Sequence, residues 1–118
     1  MKYILLIYAQ EAGWNALTPE QQKQGVGAYN AYTEALNAAG VRLGSDRLRP
    51  IATATSVRIV NGETKVLDGP YAESKEQLGG FYMIDVPDLD TALSWAARCP
   101  GAQYGTIEVR PVWEMYTD

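Results

Sequence analysis

The 118-residue chain has no histidine at all. That removes the side chain that ordinarily changes charge near neutral pH, and with it the commonest metal ligand. There is a single cysteine, Cys99, so no disulfide can form within the chain. One cysteine and no histidine cannot make a zinc site, and a Ser-His-Asp triad is impossible. No apolar run approaches the length of a membrane span. The opening Tyr3-Ile4-Leu5-Leu6-Ile7-Tyr8 is too short for a signal segment and runs into the polar Gln10 and Glu11, so it reads as a buried first strand. Net charge is −4, and the ten Lys and Arg form no stripe. Nucleic-acid backbones are held by clustered cations, so nucleic acid is not an expected partner. Glycine-rich phosphate-binding motifs are missing too. The expected setting is the cytoplasm, with no membrane, metal or cofactor.

The chain has the apolar content of an ordinary globular protein, 47%. Its length suits one domain spanning residues 1–118. Thr18-Pro19-Glu20-Gln21 is a helix start: Thr18 can cap, Pro19 suits the first turn, and Gln21 completes a capping box. Val26, Tyr29, Tyr32, Leu36 and Ala39 then recur at helical steps, which predicts one buried face, and Gly40 can end the helix. Val41–Leu43 reads as a short strand and Arg47–Pro50 as a loop. Ser56–Val60 and Glu63–Leu67 flank Asn61-Gly62, a type I′ hairpin signature. Val57 and Ile59 alternate with Arg58, which predicts one buried face and one wet face. Phe81–Val86 is a further strand, and Asp88 caps a second helix with Leu89, Ala92, Leu93 and Ala96 on one face. Gly105–Val112 is the last strand.

The order β-α-β-β-β-α-β predicts an α+β ferredoxin-like sandwich: an antiparallel sheet with two main helices on one face. The other face must be polar or covered. Eight tyrosines and three tryptophans against one phenylalanine suit a surface that is apolar with polar tips. A homodimer packed sheet to sheet is therefore expected.

Ionisable groups concentrate in Asp68-Gly69-Pro70-Tyr71-Ala72-Glu73-Ser74-Lys75-Glu76-Gln77-Leu78-Gly79-Gly80. This segment joins two strands, and an anchored loop of this kind is a common site. Ser74 to Gln77 could open one helical turn that Gly79 closes. Gly79-Gly80 would also allow close approach of a ligand or an anion-binding nest. The same residues are good turn and capping chemistry with no function at all. The catalytic candidates are Asp68, Glu73 and Tyr29, and the ligand-binding candidates are Tyr71, Lys75, Gly79 and Gly80. A carboxylate base here would need burial to raise its pKa. Cys99 has no histidine to activate it and reads as a structural thiol.

From Leu67 to Tyr82 the chain resembles the YCII-related family, in the branch named for its Asp-Gly-Pro-Phe motif, with Tyr71 in place of the phenylalanine. The likeness extends to Met1–Tyr8, Tyr32–Leu36, Ile84–Asp90, Trp95–Pro100 and Glu108–Pro111. It implies a ferredoxin-like fold of the dimeric α/β-barrel type. YciI-like relatives carry a His-Asp pair proposed to be catalytic. This chain cannot supply it: it lacks histidine, and Cys99-Pro100 stands where those relatives have Asp-Pro. The resemblance therefore favours a binding or regulatory module, with a regulatory link to an alternative sigma factor among its implications. The alternative is a lyase- or isomerase-like enzyme doing acid–base chemistry on a small acidic or phenolic compound.

Overall fold

The structure, a computed structural model, describes residues 1–114. Six strands and three helices follow one another as β1 (Lys2–Ala9), α1 (Glu11–Asn15), α2 (Pro19–Ala38), β2 (Arg42–Arg47), β3 (Thr55–Val60), β4 (Glu63–Asp68), β5 (Gln77–Asp85), α3 (Leu89–Arg98) and β6 (Thr106–Pro111). Short 3₁₀ turns lie at Ile51–Thr53 and Pro100–Gln103. Four strands form an antiparallel sheet in the order β2-β5-β1-β6, and β3 pairs only with β4. This is the ferredoxin-like sandwich with a hairpin inserted between β2 and β5. No described helix is long and apolar enough to cross a membrane.

Alternation along the strands decides what each sheet face meets. Tyr3, Leu5 and Ile7 of β1 join Tyr82 and Ile84 of β5, Tyr32 and Leu36 of α2, and Ala92 and Ala96 of α3 in one core. Both long helices therefore cover the same face. Tyr32 links them: its hydroxyl donates to Trp95 O at 2.7 Å, and its ring meets Tyr82 edge-on at 5.1 Å.

Local chemistry sets the helix ends. The Thr18 hydroxyl accepts from Gln21 N, and Gln21 Oε1 accepts from Thr18 N, a complete capping box. Asp88 accepts from Thr91 N and from the Thr91 hydroxyl, which hold its carboxyl below the usual range. Asp88→Ala should lower stability, read as a drop in the urea midpoint. No loss of midpoint would show that this cap is idle.

Several expectations need correction. The hairpin does not bury one face: Val57 is 60% and Ile59 65% exposed, because β3 and β4 stand outside the sandwich. No helical turn opens at Ser74. Its hydroxyl bonds Glu76 O, and Gln77 Nε2 donates to the carbonyls of Ser74 and Lys75, so the caps fold the segment on itself. β5 accordingly begins at Gln77 and runs through Gly79 and Gly80 rather than starting at Phe81. β2 reaches Arg47, which was expected in a loop. On α2 only Tyr32 and Leu36 are fully buried; Val26 and Ala39 are exposed. On α3 Ala92 and Ala96 lie inward while Leu89 and Leu93 are exposed, since small residues let the helix sit close to the sheet. The loop around Trp14 contains α1, steadied by Arg47 over the Trp14 ring at 4.9 Å.

Candidate functional site

The segment expected to hold the chemistry divides into two halves. Asp68 ends β4 opposite Thr55. Gly69 has φ of +110°, a conformation open to glycine, and its amide donates to Ala54 O at 2.7 Å. Ser56 adds a hydroxyl bond to Gly69 O at 2.8 Å. These bonds close the base of the hairpin. Asp68, Glu73 and Lys75 are exposed, and Tyr71 is 84% exposed.

Gly79 and Gly80 make no anion nest, because the sheet uses their backbone. Gly79 O accepts from Leu48 N at 2.8 Å, and Gly80 pairs with Ile7 and Arg47. A methyl group on Gly80 would lie 2.8 Å from Asp46 O, so glycine is needed there for strand packing.

The second half, Ser74 to Glu76, reaches the end of the sheet's outer face. Thr106 donates its hydroxyl to Glu76 Oε1 at 2.7 Å. Together with Tyr8, Gln10 and Glu108 these residues line an open groove of about 660 Å³. It carries one ammonium (Lys75), two carboxylates (Glu76 and Glu108), a phenol and two hydroxyls. Such a set can orient a small polar ring or acid by hydrogen bonds and one cation. Beside it the outer sheet face is apolar: Ile4, Leu6, Phe81 and Met83 alternate with the core positions and are only half-buried.

Tyr29 belongs to the opposite side of the sheet, against the helices. Burial, then Cys99 and Tyr104, push its phenol well above the usual range. It keeps its proton through neutral pH and can donate a hydrogen bond, and it does not meet Asp68 or Glu73. The Cys99 thiol is buried and likewise raised, chiefly by desolvation. Among the described residues no three metal-ligating side chains cluster.

Tyr8, Gln10, Thr106 and Glu108 were not foreseen as site residues. Alternation places Tyr8 with Ile4 and Leu6, and Thr106 with Glu108, but only the Tyr8–Thr106 register brings the two strands' residues together.

The family model for the YCII-related domain matches residues 1–116. The chain belongs to the YCII-related family. A relative of this YCII-related domain, the uncharacterised protein R00369 of Rhizobium meliloti (strain 1021), is 39% identical over 114 residues, covering 95% of this chain and 92% of that protein. Among solved structures, the domain resembles 5-chloro-2-hydroxyhydroquinone dehydrochlorinase (TftG) from Burkholderia phenoliruptrix AC1100, in complex with 2,5-dihydroxybenzoquinone. The TM-score is 0.58 at 13% identity, over 96% of this chain and 94% of that one. At that identity the likeness shows the fold alone.

Proposed function

We propose that this YCII-related domain is a small-molecule-binding or regulatory module that works as a homodimer. The observation that carries the reading is the apolar outer sheet face of Ile4, Leu6, Phe81 and Met83, continuous with the Tyr8–Lys75–Glu108 groove. A second copy laid on that face would exclude water from the apolar centre and roof the groove. Desolvation would then strengthen the contact of Lys75 with an anionic or phenolic ligand.

The test is a thermal-shift screen of small acids and phenols. A ligand at 100 times its Kd adds about 2.7 kcal/mol of stability. The shift should vanish in Lys75→Ala and persist in Asp68→Ala, whose side chain lies at the hairpin base. Shifts lost in Asp68→Ala but kept in Lys75→Ala would overturn the assignment to this groove.

The enzymatic alternative rests on Glu76 and Glu108 facing one groove, and on the chemistry named for the TftG neighbour. Acid–base turnover of a phenol or hydroquinone should change its absorbance catalytically. If the domain only binds, the spectrum stays constant after mixing. Turnover that is lost in Glu108→Gln would replace the module reading with the enzyme.

A further inference from the structure

Among the described residues, none of the β3–β4 hairpin belongs to the core. Its register places Val57 opposite Val66 and Ile59 opposite Thr64 on one face. Val57, Ile59 and Val66 are each at least 60% exposed. The three form one contiguous apolar patch on a projecting element, the kind of surface where interaction sites are found, and a two-stranded hairpin is marginal alone.

The hairpin is nevertheless held out firmly. Asn61 and Gly62, at φ of 50° and 78°, close its tip. The Gly69–Ala54 and Ser56–Gly69 bonds close its base, and Ile51 N donates to the Glu11 carboxylate at 2.9 Å just before it. The result is a flat molecule, 48 × 47 × 19 Å, with a radius of gyration of 16.3 Å. A compact chain of this length would have about 13.5 Å.

We infer that the hairpin is an assembly arm that seats its Val57–Ile59–Val66 face on a second copy of the chain. This rests on the homodimer reading above, and area is what favours a second copy as the occupant. Four strands of six to nine residues present a footprint of roughly 450 Å² on the outer sheet face. Stable dimers need about 800 Å² per partner. One arm adds roughly 200 Å², and in a two-fold pair each copy both gives an arm and receives one. Sheet face and arms together reach the required area, and the sheet alone does not.

The experiment measures dimer dissociation by sedimentation for the wild type, the double variant Val57→Thr with Ile59→Thr, and Met83→Glu on the sheet face. Threonine keeps strand propensity and removes apolar surface. The expected result is at least a tenfold weaker dimer for the double variant, with the far-UV spectrum unchanged. A Kd within twofold of wild type overturns the arm, and if Met83→Glu still dissolves that dimer, the sheet reading survives alone. A wild type that is monomeric at 100 µM overturns both. A photoreactive benzoylphenylalanine in place of Ile59 gives a second readout that leaves the core intact. In a mixture of ¹⁵N-labelled and unlabelled chains, mixed-isotope cross-links are expected. Cross-links confined to single chains, or to none, overturn the arm.

Discussion

Gly105→Ala is expected to destabilise the chain by about 3 kcal/mol, at the upper end of what overpacking costs. A Cβ at this position would lie 2.1 Å from the backbone oxygen of Tyr8 and 3.2 Å from Ala9 Cα. A side chain could rotate out of the way, but a strand backbone paired on both edges cannot. β1 is paired with β5 and β6 together, so the clash must push the start of the edge strand β6 away from the end of β1. Against a total stability of roughly 5–15 kcal/mol, that is a large fraction. The urea midpoint measures it. The same variant should weaken ligand shifts in the groove, because Tyr8 and Thr106 move relative to each other. Gly27→Ala is the contrasting case. Nothing lies within 4 Å of its missing methyl, and it sits inside α2. It should gain about 0.5–1 kcal/mol through helix propensity. An unchanged midpoint for Gly105→Ala would mean that β1 and the turn before β6 are not packed this closely.

Alkaline pH should unfold the chain steeply. Burial raises the phenol pKa of Tyr29 and Tyr32 far above the usual value and that of Tyr82 in the same direction, the last opposed by its Thr33 hydrogen bond. Tyr32 and Tyr82 are both buried in the core. The sign follows from linkage. Below about pH 10 folded and unfolded chains hold the same phenol protons, and the stabilisation is complete. Above it the unfolded chain releases protons that the folded chain retains, so stability is lost as pH rises. Well above pH 10 a tyrosine that stays protonated only in the folded chain removes about 1.4 kcal/mol per pH unit, which applies to Tyr29 and Tyr32, and Tyr82 adds in the same direction. The raised Cys99 thiol starts the decline earlier, near pH 9. Urea midpoints at pH 8, 9.5, 10.5 and 11 would trace the curve. Tyr32→Phe should lower its slope while also removing the bond to Trp95 O. Constant stability through pH 11 would show that these phenols are not held in a dry core.

Features set by near neighbours in the chain were legible from sequence. The Thr18–Gln21 box, the Asp88 cap and the positive-φ pair Asn61-Gly62 depend on contacts within three or four residues. The strand order followed from a small number of permitted topologies. Burial of the hairpin was not legible. Alternation in Val57, Arg58 and Ile59 says which side chains share a face, and is silent on whether anything lies opposite. α1 was missed because its N-cap residue, Gln10, makes no side-chain bond and its helix spans only five residues. Gly79-Gly80 carried a permissive signal whose cause, the Asp46 carbonyl, comes from another strand. The groove failed to show for the same reason. Lys75 and Glu76 were in view, but Tyr8, Thr106 and Glu108 join them through strand register across about a hundred residues of chain.

On the hairpin's other face, Arg58 and Lys65 stand directly opposite one another. Like charges across a strand pair cost a little stability. Both edges of the hairpin are open, and open edges carrying Val and Ile are templates for unwanted strand addition. Two cations in the middle of such an element act as gatekeepers. Neutralising them with Arg58→Thr and Lys65→Thr would leave the sandwich unaltered and raise its tendency to precipitate as concentration rises. The open hairpin is thus guarded against strand addition at one cross-strand pair.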